Sequence, residues 1–377
     1  MRPLITLFTI LLAQLPNMAA AEAVPPTLQY AENFTIEPYD THTLLTVQLM
    51  LGDSERVQRY ALVPKEAPLP ELPSGIQVVR TPVQRVIVME TVYVGYLDVL
   101  GQLDSIVGAA TVDFISHPGV RDSVETGRIM PVQNGQSLNI ERLMLLQPDM
   151  ILTSISADPA FDVSPKLIRS GLPVVITAGY MEPHPLGRAE WIRFIAAFFE
   201  ASEQAGAFFE NTALRYETLR QQTATLEARP SVFSGAPYSG TWHVPGGQSF
   251  AARMVEHAGG AYLWADNLSQ RALPLDTERV FLRAAQADIW LHPSHHRSMD
   301  ALFAADPRFG KFAAAQEGRI FNNSKQVSAH GGNNIWERGV VHPDEVLADL
   351  IHIFHPDILP DHTPIYYERL NRAQSNH

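Results

Sequence analysis

Two stretches far apart in the chain follow one plan. Asn139-Ile140-Glu141-Arg142-Leu143-Met144-Leu145 runs into Gln147-Pro148-Asp149 and the apolar Met150-Ile151-Leu152. Asp276-Thr277-Glu278-Arg279-Val280-Phe281-Leu282 runs into Gln286-Ala287-Asp288 and Ile289-Trp290-Leu291. Each has a polar residue able to cap a helix, a short amphipathic helix, an aspartate and a run suited to a buried strand. A unit that recurs this way predicts two similar lobes. Glu141 and Glu278 fall in the first helical turn, where a carboxylate complements the helix dipole by roughly 0.3–1 kcal/mol. That accounts for either glutamate alone. Matched positions in two lobes point to a shared role as well.

The chain has 377 residues, enough for two lobes of ordinary size. Its hydrophobic content of 46% supports real cores, and 18% charged residues is too few for a disordered chain. A formal net charge of -12 argues against a nucleic-acid binder and against a protein held on anionic lipid. Arg2, the apolar run Leu4 to Leu15 and the small residues Ala19, Ala20, Ala21 and Ala23 predict a cleaved secretion signal over residues 1–23. The alternative is a buried N-terminal helix. The run is too short to span a bilayer, and no later segment is long and apolar enough to do so. The chain has no cysteine, so it has no disulfide, no thiol metal site and no thiol for lipid attachment. Secretion without an anchor fits a periplasm.

Residues 24–75 read as a small β extension ending in a Pro-rich linker from Pro64 to Gly75. Strand and helix then alternate through a first lobe, 76–185, the pattern of a parallel sheet covered by helices. Within it, Asp113 to Gly135 is polar and reads as a long loop. Residues 186–228 are helical, with a final helix of some 20 residues, about 30 Å long, that could join two lobes. A second α/β lobe follows over 229–355, and 356–377 reads as a polar tail. The predicted fold is therefore two α/β lobes joined by one long rigid helix, with a cleft between them.

The motifs resemble those of the periplasmic substrate-binding proteins of iron-siderophore, haem and cobalamin ABC importers. The resemblance rests on Asn139-Ile140-Glu141-Arg142 with Gln147-Pro148-Asp149, on Gly171-Leu172-Pro173-Val174-Val175, on the joining helix, and on Val341-His342-Pro343-Asp344-Glu345 with Phe354-His355-Pro356. It covers most of Arg85 to Pro356. It implies a ligand held between the lobes and no catalysed reaction. In the cobalamin-binding relative, one surface glutamate on each lobe docks onto permease arginines, and these align with Glu141 and Glu278. The implied partners are an iron chelate and an inner-membrane ABC permease, with the protein itself a monomer that does not span the membrane.

Ligands of open α/β sheets sit beyond the carboxyl ends of the strands. The candidate ligand-binding residues in those loops are Glu90, Tyr93, Asn134, Tyr180, Tyr238, Trp242, His295 and Arg297. Flat aromatic faces suit a large, partly apolar ligand, though aromatics at element ends also serve as packing. Arg121, Arg128, Arg253, Arg271, Arg297 and Arg338 lie in or near loops and could grip an anionic chelate. Fourteen histidines raise a second possibility, direct transition-metal binding through His243, His295, His296 or His330, but none has a tight ligand spacing. The third is a periplasmic hydrolase. Glu90 and Asp113 could do acid–base work, but the chain has no nucleophile elbow, P-loop or cysteine nucleophile.

Overall fold

The computed structural model describes residues 27–51, 54–135, 137–155 and 162–372. The secretion signal and its cleavage site lie outside the described residues. An N-terminal sheet of β1 (Phe34–Pro38), β2 (Thr43–Leu51), β3 (Ser54–Pro64) and β4 (Gln77–Thr81) is antiparallel except where β4 joins β3 in parallel. Leu45, Val47 and Leu49 alternate along β2 and are buried. Two buried carboxylates fix the residues that lead into this sheet. Glu190 accepts the N–H groups of Gln29, Tyr30 and Ala31 at 2.8–3.1 Å. Glu182 accepts those of Glu32 and Asn33 and the indole N–H of Trp191, each at 3.0 Å.

The first lobe contains β5 (Val86–Val88), α1 (Val92–Val99), β6 (Ile106–Ala109), α2 (Pro118–Glu125) and β7 (Met130–Pro131). A hairpin of β8 (Gln133–Asn134) and β9 (Ser137–Leu138) follows, then α3 (Ile140–Leu145), β10 (Met150–Ser154), α4 (Ser164–Arg169) and β11 (Val174–Thr177). Its sheet is parallel throughout, in the order β11-β10-β5-β6-β7. Helix α2 corrects the expectation of a loop from Asp113 to Gly135. His117 caps it by accepting from Val120, and Pro118 starts it, but only Val120 and Ser123 are buried, so the sequence shows almost no apolar stripe.

Two helices leave this lobe, α5 (Pro185–Ala197) and α6 (Ser202–Ala224). The 23 residues of α6 make a rod of about 34 Å. The second lobe runs through β12 (Ser231–Ser234), β13 (Pro237–Tyr238), β14 (Thr241–Val244), α7 (Phe250–His257), β15 (Ala261–Tyr262), β16 (Leu273–Asp276), α8 (Thr277–Ala284) and β17 (Ile289–Leu291). It ends with α9 (Met299–Ala305), α10 (Ala313–Gln316), β18 (Ile320–Asn322), α11 (Arg338–Val341), α12 (Pro343–Phe354) and β19 (Glu368–Arg369). The main sheet has the order β15-β12-β17-β18-β19, parallel except for β19.

The sequence repeat is a structural repeat. Asn139 caps α3 by accepting from Arg142 at 2.9 Å, and Asp276 caps α8 by accepting from Arg279 at 2.8 Å. Asp149 accepts the N–H groups of Gln84 and Arg85, just before β5, and Asp288 accepts that of Ser231, the start of β12. Each aspartate therefore ties its own strand to a parallel neighbour in the sheet.

Residues 356–372 are not the expected polar tail. The buried carboxylate of Asp349 accepts the N–H groups of Ile365, Tyr366 and Tyr367 and bonds the His362 ring at 2.7 Å. This anchor folds the segment back, buries Tyr366, Tyr367 and Leu370, and adds β19 to the sheet.

The lobes are joined by more than α6. Helix α11 packs on α1 and α5 of the first lobe. There the carboxylate of buried Glu337 accepts the N–H groups of Ser116 and His117, both at 2.8 Å. Gly95 of α1 lies so close that a Cβ would stand 2.3 Å from the Glu337 carbonyl oxygen. Gly95→Ala should lower stability by about 1–3 kcal/mol, because backbone rather than a mobile side chain blocks the methyl. A urea midpoint unchanged from wild type would contradict this packing.

Burial also sets the pH response. It lowers His184 to about 4, His257 to about 3 and His292 to about 4. Their folded pKa values lie below the unfolded value near 6.5, so the unfolded chain binds more protons and stability falls as pH drops from 6.5. Burial raises Glu337 from 4.5 to about 7, so the folded chain binds more protons between those values and stability falls as pH rises through that window. The two windows overlap, and the three histidines outweigh the one glutamate, so urea midpoints should fall from pH 6.5 to 4.5. His257→Gln should lessen the acid loss by on the order of 1 kcal/mol, and Glu337→Gln, which removes the opposing contribution, should steepen it.

Candidate functional site

The carboxyl ends of both sheets open on the space between the lobes. From the first lobe come Thr91, after β5, and Phe114, after β6. From the second come Ser294, His295 and Arg297 after β17, and Asn322, Asn323 and Ser324 at the end of β18. The crossover segment before α11 adds Val327, Gly331, Asn333 and Trp336. Together they line a mouth of about 500 Å³. Side-chain amides hold its shape: Asn322 donates to the carbonyls of Ser294 and His296, and Asn333 donates to that of Asn323. At Gly332 the backbone passes so near Phe114 that a Cβ would sit 2.3 Å from its carbonyl oxygen. Arg297 is the one fixed charge among the residues lining this mouth.

Two apolar pits lie to either side of α11. The first-lobe pit, about 170 Å³, is lined by Glu90, Tyr93, Tyr96, Tyr180, Arg188 and Trp191, with Val340 of α11. The second-lobe pit, about 180 Å³, is lined by Phe250, Met254, His292, Tyr367 and Trp336, with Gly339 of α11. Trp336 borders both this pit and the mouth. The guanidinium of Arg188 stacks on Phe250 at 4.1 Å, which bridges α5 and α7 across the lobes. Burial raises the carboxyl pKa of Glu90, against hydrogen bonds from Tyr93, from the Ser154 N–H at 3.0 Å and from Thr153. The Tyr93 hydroxyl also meets Thr177 at 2.9 Å, so Glu90 and Tyr93 together knit the ends of β5, β10 and β11.

Of the candidates, Glu90, Tyr93 and Tyr180 lie in the first-lobe pit, and His295 and Arg297 lie in the mouth. Trp242 is a correction. Its side chain is 0% exposed, packed among Phe233, Trp290, Phe309 and Phe312, with its indole N–H donating to the Ser234 carbonyl. The following Gly246 and Gly247 approach the carbonyls of Ser269 and Asn267, so protein backbone fills the space they leave. Asn134 and Tyr238 stand exposed on short hairpins and line none of these three cavities. Among the described residues, no group of three or more His, Asp or Glu is placed to hold a metal ion.

Glu141 and Glu278 are exposed in the first turns of α3 and α8. Each helix leads into a parallel strand and so begins at the carboxyl edge of its sheet, the edge that borders the cleft. Glu278 pairs with Arg308 at 3.4 Å. Trp336, Asn333, Arg188 and Phe250 were missed in the sequence. Trp336 and Asn333 follow the Gly331-Gly332 turn, which reads as connecting loop, while Arg188 and Phe250 sit at helix starts where they read as ordinary packing or solvated charge.

A periplasmic binding protein family model matches residues 86–327. An uncharacterized lipoprotein of Methanocaldococcus jannaschii is 24% identical over 381 aligned positions, covering 94% of this chain and 88% of the relative. A second lipoprotein of that organism is 24% identical over 354 positions, covering 90% and 86%. Among solved structures, a periplasmic heme-binding protein from Pseudomonas aeruginosa superposes with a TM-score of 0.57 at 17% identity, over 77% of this chain and 99% of that one. An ABC-type Fe3+-hydroxamate transport protein from Saccharomonospora viridis gives 0.54 at 19% identity, over 72% and 92%. The structural matches share the fold. The family match takes in well over half of the sequence, and the chain belongs to the periplasmic binding protein family.

Proposed function

We propose that this protein captures a ferric siderophore or a similar iron chelate between its lobes, in the periplasm, and delivers it to an inner-membrane ABC permease. The observation that carries this is the mouth itself. It is large, its walls are preset by amide hydrogen bonds, and its one fixed charge is the cation Arg297. That suits a bulky, polar, anionic guest. The role is binding and hand-over, with no bond made or broken. Glu141 and Glu278 are the proposed docking points for permease arginines, where charge complementarity gives orientation and on-rate. The exposed Glu278–Arg308 pair is worth little and can open on docking.

Trp336 is the natural reporter, since it is 50% exposed and borders the mouth. Titration with ferric siderophores should change tryptophan fluorescence, and Trp336→Phe should remove most of that change. Arg297→Ala should weaken binding about tenfold, or ~1.4 kcal/mol. A wild-type response to haem or cobalamin alone would replace the chelate, and no response to any of them would sink the transport reading. Glu141→Lys with Glu278→Lys should leave chelate affinity unchanged while abolishing uptake in reconstituted vesicles. Full uptake by the double variant would refute the docking role.

A further inference from the structure

The first-lobe pit is lined by the cation Arg188, whose charge is offset in part by the nearby carboxyl of Glu182. Arg188 makes no ion pair with a carboxylate among the described residues. Of its five guanidinium donors, one goes to the Glu182 carbonyl at 3.2 Å and one to the Tyr180 carbonyl at 2.8 Å. Nη1 has no acceptor among the described residues and is not a fully buried atom, so its two donors keep some access to open space. Arg188 is also a lining residue of the pit. Burial draws its pKa down to about 10, which still leaves it charged at neutral pH. Its close contacts are two carbonyls and the Phe250 ring, whereas an arginine that only braces the fold would ordinarily use its fork on a carboxylate.

The rest of the pit states what the partner looks like. Tyr93, Tyr96, Tyr180 and Trp191 give it aromatic walls, and its volume is about 170 Å³. An apolar cavity of about 150 Å³ is enough to take benzene. The one carboxyl on the lining, Glu90, is engaged by Ser154 and Thr153 at the strand ends.

We propose that this pit is a subsite for an aromatic acid group of benzoate or salicylate type, its ring among the tyrosines and its anionic oxygens on the Arg188 fork. This rests on reading the cleft as a chelate site, where such a group would be one arm of the bound chelate. A free aromatic acid presents the same chemistry.

The test uses the full chain and three probes with the same ring: benzoate, benzamide and benzylamine, followed by saturation-transfer NMR and calorimetry. Benzoate should bind at least tenfold more tightly than benzamide, and benzylamine should not bind. Arg188→Gln should lower benzoate affinity at least tenfold, with Arg188→Lys intermediate because it keeps charge but loses the fork. If Arg188→Gln fails to fold, Val340→Phe fills the pit while leaving the Arg188 hydrogen bonds, and should also remove benzoate binding. Equal binding of benzoate and benzamide, or benzoate retained in both variants, would overturn the assignment. Ferric chelates bound by a protein indifferent to benzoate would end the pit proposal alone. Benzoate selected by a protein that binds no chelate would end the chelate reading and leave the pit standing.

Discussion

Among the described residues, a buried or half-buried carboxylate that accepts backbone N–H groups recurs at one junction after another. Glu190 and Glu182 hold the N-terminal segment on the first lobe, Glu337 holds the first lobe to the crossover, and Asp349 holds the C-terminal segment on the second. Asp149 and Asp288 do the same inside the two sheets. Taking a carboxylate out of water is expensive, so each persists only because two or more charge-assisted hydrogen bonds replace its hydration. The same condition makes these joints directional. A backbone segment that must present several N–H groups to one carboxylate has very little freedom left, whereas an apolar contact would let it slide.

That stiffness bears on how a binding protein takes up its ligand. With α6, the crossover and the Glu337 joint all linking the lobes, the cleft walls are set before a ligand arrives, and binding forfeits less ordering entropy. In the proposed transport role the same stiffness keeps the carboxyl-edge rims, with Glu141 and Glu278, in a fixed relation. A permease could then read the whole protein through two exposed charges.

The sequence made the repeat visible because it is local. A cap, a first-turn glutamate and a strand-opening aspartate lie within fifteen residues, and each has a partner close in sequence or in the adjacent strand. The two-lobed α/β architecture followed from that pattern and from the alternation of strand and helix. The long-range anchors were not legible. Nothing around Asp349 announces that three N–H groups sixteen to eighteen residues later will converge on it, so the segment carrying Tyr366 looked like a tail. Trp242 misled for the opposite reason. An aromatic near a strand end and a Gly-Gly turn fits a pocket as well as a core, and only the sheet register places it inside, opposite Pro237 and Leu275.

The site divided in the same way. Loops after parallel strands are predictable from topology, and Glu90, Tyr180, His295 and Arg297, read from those loops, line the first-lobe pit and the mouth. Residues reaching the cleft from helices and from the crossover were beyond it, because their position depends on how α5, α7 and α11 meet. Those residues separate the cleft into a polar mouth and apolar pits. Trp336 stands between the mouth and one pit, and Arg188 on Phe250 stands between the two pits. A ligand filling such a space must be polar where it meets the mouth and apolar where it enters a pit. Selectivity then lies in the joint arrangement of those parts, since a molecule matching only one region leaves either an amide unpaired or an apolar wall wet.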